Sequence, residues 1–291
     1  MTRKTQRRKL IRITDGVRTA AWDTLVAEEP LEIRLAGRAL AVTMRTPGDD
    51  FDLAAGFLAS EGVIASDAEL AAIRYCSGTN DAGENTYNVL DVDLAPGVDV
   101  PQMSLQRNVF TSSSCGVCGK ASLESVRTAS RFTVGDDPIS VEPDLIAALP
   151  DRLRAAQGVF ETTGGLHAAG LFDSAGGLVS IREDVGRHNA VDKLVGAAVR
   201  EGRLPLAGHI LLVSGRASFE LVQKAAMAAI PVMAAVSAPS SLAVELAEDA
   251  GITLIGFLRG DSMNVYSGAH RLATPDTDGE EAPRRAPATL R

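Results

Sequence analysis

Cysteine is nearly absent from this chain: there are three in 291 residues, an odd number, and only Cys115 and Cys118 lie close together. That count argues against a secreted disulfide framework and makes cytosolic chemistry the default, so a cytoplasmic protein is expected. Aromatic residues are also scarce, at 4%. The core must therefore be built from Ala, Val, Leu and Ile, a composition suited to helices packed on a buried sheet, which favours an α/β fold. Positive charge is not in excess, the net charge being −8, and a nucleic-acid partner would call for a basic surface. No apolar run reaches the length of a membrane span, and Glu245, Glu248 and Asp249 break the most alanine-rich stretch. Neither a nucleic-acid nor a membrane partner is expected. The basic cluster Arg3, Lys4, Arg7, Arg8, Lys9 and Arg12 has no apolar segment or cleavage pattern behind it. It reads as a flexible basic tail over residues 1–20, not a secretory leader.

Two further absences narrow the chemistry. Neither a Gly-rich dinucleotide fingerprint nor a G-x-x-x-x-G-K-[ST] loop is present, so the common nucleotide-cofactor enzymes lack support. Structural zinc wants four ligands, and beyond the C-x-x-C pair there remain only Cys76 and four scattered histidines. No structural metal is expected.

What is present divides the chain. Leu31–Leu35 and Ala39–Met44 alternate around Ala36-Gly37-Arg38, the pattern of a hairpin. Phe51–Glu61 has helical spacing, and Tyr87–Leu94 alternates again as a strand. Residues 21–110 thus read as a small α+β domain. Residues 111–120 form a Ser/Gly-rich segment holding Cys115 and Cys118, expected to be a mobile loop. Residues 121–273 form a second domain, and 274–291, rich in Pro and charge, a disordered tail. Within the second domain a helix is expected over Asn189–Arg200. After it, Ile210–Val213, Val232–Val236 and Thr253–Phe257 are apolar runs separated by the helical patterns Phe219–Ala229 and Leu242–Ala250. This is β-α-β-α-β, so the three strands should be parallel.

In an open parallel sheet, ligands gather beyond the carboxyl ends of the strands. Those ends run into Ser214-Gly215-Arg216, Ser237-Ala238-Pro239-Ser240-Ser241 and Arg259-Gly260-Asp261-Ser262. Small residues let a ligand approach the backbone, and the two arginines can fork onto phosphate oxygens. The edge suits a phosphorylated ligand. Glu183-Asp184-Val185-Gly186-Arg187-His188-Asn189 is the densest polar cluster and precedes a helix. It offers His188 as a site residue, with Asp184 a possible orienting carboxylate for a histidine; Asp192 and Lys193 read as exposed helix positions.

A C-x-x-C pair can grip zinc, cycle as a dithiol or carry reactive sulfur. Flanked by Ser and Gly, with Lys120 and Arg107 near in sequence, a thiol here should be exposed and easily ionised, the setting of a nucleophile. Such a thiolate can take the terminal sulfur of a persulfide and pass it on, while a second cysteine assists release.

Five segments together carry a family resemblance: Ser113-Ser114-Cys115-Gly116-Val117-Cys118-Gly119, Gly165-Leu166-His167-Ala168-Ala169, Glu183 to Lys193, Ser214-Gly215-Arg216, and Gly256-Phe257-Leu258-Arg259-Gly260. They resemble the formate dehydrogenase accessory sulfurtransferase family, FdhD, over residues 20 to 272. The resemblance implies a cytidine-deaminase-like fold for residues 121–273 and a homodimer. It also implies a sulfurtransferase that accepts sulfur from a cysteine desulfurase. The sulfur would pass to the molybdenum cofactor, as bis-molybdopterin guanine dinucleotide, before its insertion into formate dehydrogenase. Cys115 would bear the persulfide with Cys118 as its partner. Phe257, Leu258, Arg259, Gly260, Asp261 and Ser262 would lie against the cofactor, which a guanine nucleotide would mimic, and Ser214, Gly215, Arg216 and His188 complete the expected binding set. Two rivals stand beside this reading. A zinc deaminase-like hydrolase would need H-x-E ahead of P-C-x-x-C, whereas here Ala168-Ala169 follow His167 and no proline precedes Cys115. A non-catalytic cofactor chaperone would use its cysteines only for redox regulation.

Overall fold

The computed structural model describes residues 4–78, 86–98, 109–110 and 130–273. The described residues are mixed α/β, arranged in three sheets. Strands β1 (Thr5–Thr14) and β2 (Val17–Val26) form a long antiparallel hairpin, paired from Thr5↔Val26 to Thr14↔Val17. Its turn is Asp15-Gly16, both residues at positive φ, the backbone that a two-residue hairpin turn requires. The expected flexible tail over residues 1–20 is thus corrected: from Thr5 onward it is strand. Its charges read as a tail, yet the Asp-Gly turn was in plain view.

The five-stranded sheet runs in the order β5-β6-β3-β4-β7. It is made of β3 (Glu29–Leu35), β4 (Arg38–Arg45), β5 (Leu70–Tyr75), β6 (Val89–Leu94) and β7 (Val109–Phe110). The hairpin β3–β4 turns at Ala36-Gly37, as its alternation predicts. Helix α1 (Asp50–Ser60) covers this sheet, with Leu53 and Leu58 packed among Leu31, Ile33, Leu35, Leu90 and Val92.

The six-stranded sheet has the order β13-β12-β11-β10-β8-β9. Its strands are β8 (His167–Phe172), β9 (Leu178–Asp184), β10 (Ile210–Val213), β11 (Val232–Ala235), β12 (Thr253–Arg259) and β13 (Ser262–Ser267). The three apolar runs β10, β11 and β12 are parallel, as expected, and β8 joins β10 antiparallel. Both faces of β10 and β11 are buried, which is why these strands read as unbroken apolar runs. One face packs against α2 (Pro143–Ala156) through Ile146, Leu149 and Leu153. The other packs against α4 (Arg187–Arg200), α5 (Phe219–Met227) and α6 (Ser241–Ala250). A short helix α3 (Gly158–Thr163) leads into β8.

The two larger sheets share one core, joined where α1 crosses α4. A Cβ on Gly56 would collide with the Asp192 carbonyl, and one on Gly196 with the Asp52 carbonyl. The glycines let the helix backbones touch. At this crossing Ser60 Oγ donates to Asp192 Oδ1 (2.8 Å), and Lys224 Nζ donates to the same carboxylate at 2.7 and 2.9 Å. Among the described residues no helix is long and apolar enough to cross a membrane.

Candidate functional site

The parallel ladder carries the ends of β10, β11 and β12 to one edge, where their following turns bond to each other. Ser237 N donates to Gly215 O (3.3 Å), Ala217 N to Ala238 O (3.2 Å), Ser240 N to Ala217 O (3.0 Å) and Phe257 N to Ser237 O (3.2 Å). The result is a continuous backbone shelf that brings Ser214, Gly215 and Arg216 together with Phe257. Ser214 is fixed by reciprocal bonds to β8: its N donates to Ala168 O (3.0 Å) and its Oγ accepts from Ala168 N (2.9 Å). Arg216 is exposed. Ser240 Oγ caps α6 by accepting from Ala243 N.

The third strand departs from expectation beyond Gly256. Instead of ending in a loop, β12 bulges at Phe257 and Leu258, continues to Arg259, and turns back through Gly260-Asp261 into β13. Arg259, Gly260, Asp261 and Ser262 thus form the exposed tip of a hairpin. Phe257 is held at φ +52 with 40% of its surface exposed, a conformation that costs a residue with a side chain about 1–2 kcal/mol. Leu258 points the other way: it is fully buried in the core beside Ile255 and Ile210. Its side chain is a packing residue and does not share the exposed edge with its neighbours.

His188 lies in the first turn of α4, and its Nε2 sits 2.7 Å from Glu220 Oε2 and 3.2 Å from Ser218 Oγ, both on the first turn of α5 or its cap. His167 opens β8, and because β8 runs against β10, it arrives beside Gly215: a Cβ there would stand 3.4 Å from His167 Nδ1. Burial, and then the positive fields of Arg187 and His188, pull the His167 pKa below the ordinary histidine value. Arg187 Nε is buried without a partner among the described residues. A half-buried neutral imidazole, an incompletely paired guanidinium and a backbone shelf make an edge fit for an anionic ligand. The sequence reading did not assign His167, Ser218 or Glu220 to the site. His167 stood in a quoted segment, and the reversal of β8 against β10 brings it to the edge.

The Glu183–Asn189 cluster has a different role from the one expected. Asp184 orients no histidine. Its Oδ2 accepts from Thr46 N (3.0 Å) and Lys193 Nζ (2.7 Å), and its Oδ1 from Gly186 N (2.8 Å) and Asn189 Nδ2 (3.2 Å). Lys193 and Asp192 are buried, not exposed, and Lys193 Nζ also donates to Thr46 O (2.8 Å). Burial pushes the Asp184 carboxyl up, against the opposing pull of Lys193 and the backbone donors. Glu183 accepts from Val159 N and Phe160 N, capping α3. These bonds clamp the turn that launches α4 and so set where Arg187 and His188 emerge.

Among the described residues no group of three or more His, Cys, Asp or Glu side chains could hold a metal ion. Cys115 and Cys118 lie outside the described residues, as do the 274–291 segment and most of 99–129. Cys76 is a half-buried free thiol at the end of β5.

Fold and site define a mixed α/β chain whose parallel strands end on a shelf of small residues flanked by arginine and histidine. The chain belongs to the FdhD/NarQ family, which matches residues 26–273. The sulfur carrier protein FdhD of Streptomyces avermitilis is 67% identical over 274 residues, covering 94% of this chain and 97% of that protein. The protein of the same name from Mycobacterium tuberculosis is 59% identical over 253 residues, covering 86% and 92%. Among solved structures, a formate dehydrogenase accessory protein from Desulfotalea psychrophila shares the fold. Its TM-score is 0.71 at 24% identity, over 93% of this chain and all of that one.

Proposed function

We propose that this chain is a sulfur carrier serving formate dehydrogenase. The observation that carries the reading is the 67% identity, along nearly the whole chain, to a protein named for that role. The C-x-x-C at Cys115 and Cys118 supplies the nucleophile the role requires. In the first step the Cys115 thiolate attacks the terminal sulfur of a cysteine desulfurase persulfide. The donor's S–S bond breaks, its cysteine leaves as a thiolate, and Cys115 becomes the persulfide. In the second, the Cys118 thiolate attacks the Cys115 sulfur, hydrosulfide departs, and a Cys115–Cys118 disulfide forms. The dithiol supplies both electrons, and an external thiol reductant resets the pair.

The receiving substrate is the molybdenum cofactor in its bis-molybdopterin guanine dinucleotide form. In support, the strand edge offers Arg216 and Arg259 for phosphate oxygens, the Ser214–Gly215 and Gly260 backbone for close approach, and the exposed Phe257 ring for a base to stack on. Asp261 and Ser262 at the hairpin tip face the same solvent, and His188 and His167 flank the shelf. The working form is a cytoplasmic homodimer.

The test is direct. The protein is incubated with a cysteine desulfurase and cysteine, then read by intact mass and thiol mapping. One added sulfur on Cys115, absent in Cys115→Ala, is expected. A wild type that never gains sulfur, or a Cys115→Ala protein that supports full formate dehydrogenase activity, overturns the reading in favour of a non-catalytic chaperone.

A further inference from the structure

Helices α5 and α6 run back along the six-stranded sheet, so their carboxyl ends gather at the edge opposite the shelf. Between those ends lies a cavity of about 490 Å³, within the size range of small-ligand sites. No residue of the ligand edge lines it. Its third wall is the segment 130–136, and that wall is fixed at both ends. Ser130 Oγ donates to Ala226 O of α5 (3.1 Å). The fully buried Arg271 donates to Val134 O (2.8 Å), Gly135 O (2.9 Å) and Gly251 O (2.7 Å), tying the segment to the cap of α6. Gly251, at φ +69, lets the two backbones meet: a Cβ there would stand 2.7 Å from Gly135 Cα.

The lining divides by chemistry. Phe132, Val134, Ala226 and Leu246 supply buried or half-buried apolar surface, while Asp136 and Glu248 are exposed carboxylates. The carboxyl end of a helix carries partial negative charge, which a cation stabilises and an anion opposes. The last turn of α6 nevertheless holds Glu248 and Asp249 and no basic residue. The nearby cations are engaged elsewhere: Lys224 with Asp192, Arg131 with Glu69, and Arg271 with the carbonyls named above. Among the described residues no cation pairs with Asp136 or Glu248.

An aromatic and aliphatic lining, two uncompensated carboxylates and a helix carboxyl end together ask for a positive group on an apolar stem. A guanidinium meets each demand: it lies flat on an aromatic face, forks onto carboxylate oxygens and sheds water more readily than an ammonium. We infer that this cavity is a second binding site, remote from the ligand edge, for a guanidinium carried on an aliphatic stem. That chemistry belongs both to a free alkylguanidine and to an arginine side chain of a protein partner. The site makes no use of Cys115, so it stands or falls independently of the sulfur chemistry.

Full-length protein is titrated by calorimetry with agmatine, with the tripeptide Gly-Arg-Gly blocked at both ends, and with the same peptide carrying citrulline, whose side chain has nearly the same shape and no charge. We expect one saturable site for a guanidinium probe, and at least about tenfold weaker binding of the citrulline peptide. An arginine peptide that binds more tightly than agmatine assigns a protein side chain as the occupant, whereas agmatine binding as tightly or more tightly assigns a free guanidine. Asp136→Asn/Glu248→Gln should weaken the guanidinium at least about tenfold, and Phe132→Leu about threefold. Both carboxylates are exposed and Glu248 opposes the dipole of its own helix, so the double variant should have a thermal midpoint no lower than wild type. Its sulfur loading on Cys115 should match wild type. No saturable binding of either guanidinium probe, equal binding of the citrulline peptide, or an affinity unmoved by the Asp136/Glu248 double variant overturns the inference.

Discussion

Lys193 Nζ lies 2.7 Å from Asp184 Oδ2, with both side chains sealed from solvent and both bonded to Thr46. This pair ties the end of β4 to the turn that starts α4. Removing one partner strands a charge in the core, which typically costs about 3–5 kcal/mol. Lys193→Met should therefore lower unfolding free energy by about that amount. Asp184→Asn/Lys193→Met should cost less than the two single changes summed, measured by denaturant unfolding of all four proteins.

The α1–α4 crossing has no room for a methyl group. Gly56→Ala and Gly196→Ala each press a Cβ into a backbone carbonyl of the facing helix. Overpacking commonly costs about 1–3 kcal/mol, and here no side chain can swing aside. We expect each variant to lose at least about 3 kcal/mol by thermal or denaturant unfolding. Gly208→Ala is not a suitable control, since Gly208 holds positive φ; Gly158, with open space around it, is.

His167 gives the fold a dependence on acid. Its folded pKa lies below the ordinary value of 6.5 because burial, Arg187 and His188 disfavour the imidazolium. The unfolded chain therefore takes up this proton first as pH falls. The His167 contribution is level above the ordinary value and destabilising below it, growing until the folded pKa is passed. His167→Gln should remove that part of the acid-side loss, and a nuclear magnetic resonance titration of wild type should place the His167 midpoint below 6.5.

Phe257 separates backbone strain from binding. At φ +52 an alanine would keep the strain and a glycine would not. Phe257→Gly should be more stable than Phe257→Ala by about 1 kcal/mol, and, if the proposed function holds, both should lose guanine-nucleotide affinity to a similar degree, measured by calorimetry. Equal stability would mean that the positive φ is not maintained in solution.

The parallel core strands were legible because Ile210–Val213 and Val232–Ala235 are buried on both faces, which leaves no alternation to confuse them with anything else. The β3–β4 hairpin was legible through Ala36-Gly37. The first hairpin was not, because the weight of its charges overrode the turn at Asp15-Gly16. The turn into β13 hid behind Arg259-Gly260-Asp261-Ser262, which reads equally as a ligand loop. Lys193, Asp192 and Lys224 are residue types that default to the surface. Their partners appear only in the packed fold: Thr46 after β4 beside Lys193, Ser60 of α1 beside Asp192, and α5 laid on α4 to bring Lys224 to Asp192. At the site, the shelf residues could be read from the strand ends. His167 could not, because its place depends on an antiparallel neighbour that local patterning does not specify.

The glycine contact between α1 and α4 couples shape to chemistry. Because the helix backbones touch, no side chain lies between α1 and α4 at this crossing, so a movement of the five-stranded sheet has a short path to the helix whose first turn carries Arg187 and His188.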